Sequence, residues 1–107
     1  MKNNLVGKWR LIGMELWDAN FIDLVEEGNI TLMKNGLGHF AFGAVSAELD
    51  YQIEKSGNKI EFTWSGSDEG DQVSGRGSAE IKGEKMIGRL HFHLGDNSAF
   101  EAIRKSK

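Results

Sequence analysis

Gly36, Gly57 and Gly83 each sit in a short polar break between apolar runs, with lysine close by. The first break is Asn35-Gly36, and both residues tolerate the positive φ that a two-residue hairpin turn requires. Ser56-Gly57-Asn58 and Gly83-Glu84 carry similar turn chemistry. Between these tight turns lie longer connections, at residues 18–28, 43–47, 65–73 and 95–97. In an antiparallel meander, alternate connections fall at the same end of the sheet. The spacing therefore predicts a closed end and an elaborated end. It defines eight strands, at residues 7–17, 29–34, 37–43, 48–55, 59–65, 74–82, 86–94 and 98–104. Residues 19–25, inside the longest connection, are the candidate for one short helical turn.

Fourteen glycines and no proline in 107 residues suit a chain of short strands and many turns. Period-two alternation then sorts the strands into an apolar and a polar face. The expected fold is all-β, one domain over residues 1–107, an eight-stranded antiparallel up-and-down barrel whose closure removes exposed edges. A β-sandwich is the alternative, disfavoured because no connection is long enough for a Greek-key crossover. Of ten aromatic residues, nine take the inward phase: Trp9, Trp17, Phe40, Phe42, Tyr51, Phe62, Trp64, Phe92 and Phe100. An eight-stranded barrel holds its own side chains or one small ligand. So many rings predict a mostly filled interior with a shallow pocket at the elaborated end.

Bulk charge narrows the function classes. A formal net charge of -3 offers no basic excess for a nucleic-acid partner. The absence of cysteine excludes disulfides and thiolate chemistry. No apolar run has the length of a leader or a membrane span, so the cytoplasm is the expected setting, with no membrane partner. Seven lysines (Lys8, Lys34, Lys55, Lys59, Lys82, Lys85 and Lys105) fall at or near the closed end and most acids at the other. Such a field favours a cationic or neutral ligand at the mouth.

Gly7-Lys8-Trp9 opens the first strand, and Arg104 stands near the end of the last. This Gly-x-Trp start resembles the signature of the lipocalins and their calycin relatives. The resemblance implies a tryptophan plugging the closed end with an arginine packed across it. Four further segments are Met14-Glu15-Leu16-Trp17-Asp18, Trp64-x-Gly66-x-Asp68-Glu69-x-Asp71, Ser74-Gly75-Arg76-Gly77 and Phe92-His93-x-Gly95-Asp96-x-Ser98-x-Phe100. They resemble parts of a family of small uncharacterised bacterial proteins, and that likeness implies no activity.

The candidate site residues all fall toward the elaborated end. Glu15 takes the inward phase of the first strand, between Leu11 and Trp17. A partly desolvated carboxylate there suits cation binding or proton transfer; the plainer reading is a rim residue in water, or one paired with Arg76. Asp68-Glu69-Gly70-Asp71 fails the calcium-loop template and reads as a solvated acidic loop. Gly95-Asp96-Asn97-Ser98 is turn chemistry first. His91 and His93 share one face at metal-ligand spacing, but no third ligand accompanies them. Arg76 is the one basic residue among the elaborated connections and their flanks, and is expected to staple an acidic loop, with binding of an anionic ligand as the alternative. No Ser-His-Asp order, phosphate loop or cofactor motif is present.

The leading expectation is non-catalytic binding of a small molecule or peptide, with no cofactor and no metal. Trp17 and Trp64 would supply apolar contact, and Glu15, Asp68, Arg76, His93 and Asp96 would set orientation. The second is a protein-interaction module acting as a homodimer. It rests on an outward apolar stripe of Ile12, Met14, Leu16, Met33, Ala99 and Ile103, which either a second copy or residues 21–25 would cover. An enzyme using Glu15 or His93 as acid or base ranks last.

Overall fold

The computed structural model describes residues 5–105. The strands are β1 (Gly7–Met14), β2 (Asn29–Leu32), β3 (Leu37–Phe42), β4 (Val45–Ile53), β5 (Lys59–Asp68), β6 (Asp71–Lys82), β7 (Lys85–Phe92) and β8 (Asn97–Arg104). One short helix, α1 (Ala19–Ile22), lies between β1 and β2. Each strand pairs antiparallel with its neighbour in sequence, and β1 pairs with β8 to close the barrel.

The alternating burial of β4 and β5 shows the expected two faces. Inside, Trp9, Leu32, Phe42, Ile60 and Met86 are among the most deeply buried side chains. Ile53, expected inward, is 44% exposed, because it lies where β4 leaves the barrel for its turn. The closed end is plugged by Trp9, which is fully buried and donates from Nε1 to the Leu5 carbonyl at 3.0 Å. The Arg104 guanidinium lies 4.3 Å from the centre of its ring, a cation–π contact. Arg104 also donates to the Val6 carbonyl and pairs with Glu84.

The elaborated end differs from its sequence reading. Only the β1–β2 connection is long. The β3–β4 turn is Gly43-Ala44, and the β5–β6 turn is Glu69-Gly70. Residues expected in loops instead extend β4, β5 and β6. Glu69 and Gly70 take φ of 54° and 89°, the two positive values that such a hairpin turn demands. The β5–β6 hairpin consequently overshoots the barrel. Its pairing reaches Asp68 and Asp71, whereas β7 pairs with β6 only from Gly75 onward.

A second departure lies in β1. Its register with β8 shifts between Leu11 and Gly13, the mark of a β-bulge at Ile12. One extra residue reverses the side chains that follow it directly. Met14, expected outward, packs against the core opposite Phe100, and Glu15, expected inward, faces out.

Candidate functional site

Four connections meet at the elaborated end, and each contributes to one cleft. Beyond the bulge the chain bends at residues 15–17, which brings Trp17 back over the rim. Asp18 then caps α1 by accepting from the Phe21 amide at 3.0 Å. This short helix drops Ile22 into the core and lays Phe21 across the mouth. The Gly43 amide donates to the Ile22 carbonyl at 2.9 Å and fixes the helix to the β3–β4 turn. Gly43 has φ of 59°, and a Cβ there would lie 2.2 Å from the Phe21 ring. A glycine is therefore required twice over, for the turn and for the approach of Phe21.

The floor of the cleft is aromatic. Trp17 lies 5.0 Å from Phe42, 6.0 Å from Phe92 and 6.2 Å from Phe21, measured between ring centres. Val45 and Val73 complete the apolar wall. Asp68 from the β5–β6 hairpin and His93, Gly95 and Asp96 from the β7–β8 connection form the polar rim. The cleft encloses about 310 Å³. Below it the barrel is filled, with a void of about 10 Å³ lined by Leu11, Met14, Ile30, Phe40, Phe42, Leu90 and Phe100.

The structure thus brings together Trp17, Asp68, His93 and Asp96. Trp64 lies one layer deeper, buried, 4.9 Å from Phe92 and 5.2 Å from Phe40. Its Nε1 has no hydrogen-bond partner among the described residues.

Two expected site residues lie elsewhere. Glu15 is on the outer face as a result of the bulge, where it accepts from the Ala99 amide and from Arg89, not Arg76. Gly13, a glycine inside a strand, was the available signal for that bulge. Arg76 is also outside, in the middle of β6 opposite Thr63 and His91, and makes no ion pair with a described acid. Extension of β6 down to Asp71 carried it away from the mouth. His91 and His93 are divided as well: β7 ends between them, so His91 stays on the outer face while His93 turns into the cleft rim. No group of three His, Cys, Asp or Glu gathers as metal ligands among the described residues.

The connection bearing α1 is held by a clasp on the outside of β1. Arg10 binds Asp23 and Glu27, and Lys105 binds Glu27 at 2.6 Å. The hydrogen bond from Lys105 is the largest influence that holds the Glu27 carboxyl below the usual glutamate range, with the charges of Lys105, Arg10 and Lys8 adding to it. This clasp also divides the expected outward stripe. Met33 lies on one side of Arg10, and Ile12, Leu16 and Ile103 on the other. Residues 21–25 do not cover it: Phe21 turns into the mouth and Ile22 into the core, while Leu24 and Val25 remain exposed.

No helix among the described residues is long and apolar enough to cross a membrane. No family model matches the chain, and neither a curated protein nor a solved structure matches it.

Proposed function

We propose that the protein is a lipocalin-like binder that takes a small neutral or cationic molecule, or one side chain of a peptide, in the cleft at its mouth, without catalysis. The observation that carries this reading is the composition of the cleft. Four aromatic rings form a floor beneath two carboxylates and an imidazole. Ring faces attract a cation through their quadrupole, and nearby carboxylates add charge of the same sense. The volume of about 310 Å³ is at the small end of ligand pockets. That size suits an amine or a quaternary ammonium group rather than a lipid. The cytoplasmic setting and the absence of a cofactor belong to the same proposal.

The test is a titration with tetramethylammonium and with small primary amines, followed by the indole resonances in nitrogen–proton spectra. A saturable shift of Trp17, weakened in Asp68→Asn, supports the reading. A Trp17 resonance unmoved by every amine and ammonium ion overturns it.

Association into a homodimer is the second reading. It is supported by the exposure of Ile12, Leu16 and Ile103, which no described segment of the chain covers. Sedimentation equilibrium at micromolar concentration decides it: a mass near twice 11.9 kDa supports the dimer, and 11.9 kDa itself overturns it.

A further inference from the structure

Register places Asp50, Thr63, Arg76, His91 and Asn97 in one row across the outside of the barrel, one residue from each of β4 to β8. The adjacent row is Glu61, Ser78 and Arg89 on β5, β6 and β7. The small Ser78 between two long neighbours leaves a depression, and the two rows line a groove of about 500 Å³. The groove is polarised. Its β4–β5 side carries Asp50 and Glu61, and its β6–β7 side carries Arg76, Arg89 and His91.

Most of these side chains are already held. Thr63 donates to Asp50 at 2.7 Å. Arg89 donates from Nε to Asn97 Oδ1 at 3.1 Å and from a terminal nitrogen to Glu15 at 3.3 Å. Because Asn97 Oδ1 accepts from Arg89, its Nδ2 is the atom facing His91 Nδ1, at 3.4 Å. Asn97 then donates, and the proton of the neutral ring belongs on Nε2, a donor left for another partner. Arg76 is the exception among the three basic groups. It makes no side-chain hydrogen bond and no ion pair with any described residue, although His91 is directly opposite. Residues so paired have Cα atoms about 5 Å apart, within the span of a single oxyanion.

We propose that this groove is a second ligand site, separate from the mouth, which takes the phosphate or carboxylate group of a small molecule between Arg76, Arg89 and His91. The free guanidinium of Arg76 offers two parallel donors to such a group. The imidazole adds a third from the next strand, and Arg89 supplies charge from a position fixed by Asn97 and Glu15. Asp50 and Glu61 limit the ligand. They stand one or two strands away, about 5–10 Å, and repel a long polyanion, while a neutral or cationic tail is accommodated.

The experiment is a titration at constant ionic strength, one arm with inorganic phosphate and one with acetate, followed by resonances of the His91 ring and the Arg76 side chain. Saturable shifts at these two residues, with Trp17 unmoved, are expected in at least one arm, and the tighter arm identifies the anion. Arg76→Gln is expected to weaken that binding about tenfold, the loss of one charged hydrogen-bonding partner. It should leave the denaturation midpoint unchanged, because Arg76 is exposed. Shifts that fail to saturate in both arms, or that saturate equally in Arg76→Gln, overturn the proposal. Neither result bears on the mouth, whose readout is Trp17.

Discussion

Trp9 lies within β1 and Glu15 just past its end, six positions apart, and the sequence is informative about one and misleading about the other. Trp9 precedes the bulge, so simple alternation puts it inside, and the Arg104 guanidinium covers it as the Gly-x-Trp start implies. Truncation of such a buried ring removes apolar burial and leaves a cavity. Trp9→Ala is expected to destabilise by about 3–5 kcal/mol, read from denaturant unfolding. Glu15 follows the extra residue at Ile12, and alternation fails for it by one position. Period-two patterns fix a face only while the register is unbroken. Gly43 shows a different limit. Its need for positive φ was legible as a turn, but its closeness to Phe21 joins segments far apart in sequence. Gly43→Ala is expected to cost at least about 1 kcal/mol from the left-handed backbone alone. It should also shift the Phe21 ring resonances; an unperturbed Phe21 would contradict the packing described for the mouth.

Among the elements, the β1–β2 connection shows how a segment can be found and its destination missed. A short helical turn was legible between residues 19 and 25, and α1 occupies the first part of it. Four bulky side chains in that segment gave no indication of which surface they cover. The structure splits them, with Phe21 and Ile22 turned inward and Leu24 and Val25 left in water. Asp23 and Glu27 decide the split by anchoring the segment to Arg10 and Lys105. The Glu27 carboxyl is held below the ordinary glutamate range, chiefly by the Lys105 hydrogen bond. A lowered native value means that the clasp stabilises at pH above the unfolded glutamate value, about 4.3, and is lost as pH falls through the lower native one. Glu27→Gln should therefore lower the melting temperature at neutral pH and converge with the parent protein under acid. A difference that persists undiminished in acid would show that the ion pairs are not its source. The β5–β6 turn was misread because Glu69 accepts positive φ without the usual Asn or Asp.

For the molecule as a whole, closure was legible because eight strands at hairpin spacing leave two terminal strands to pair, and β1 meets β8 as expected. A shallow mouth above a filled interior follows from the number of inward rings. What alternation could not supply was the unequal height of the strands, which depends on how far each pairing continues past the rim. The tall β5–β6 hairpin is the consequence. A closed ring has no free edge, but β6 stands beyond β7 from Asp71 to Val73, and there its backbone meets no neighbouring strand on that side. Such an edge is a template for another extended chain. The acids of the hairpin tip, Asp68, Glu69 and Asp71, then act as gatekeepers: two tips brought edge to edge repel each other. Replacing Asp68 and Asp71 together by asparagine should raise light scattering with concentration above the parent level, and an unchanged profile would show that the edge is already guarded by its shortness. Asp68, a carboxylate of the mouth, would thus also help keep one barrel from becoming the first rung of a ladder.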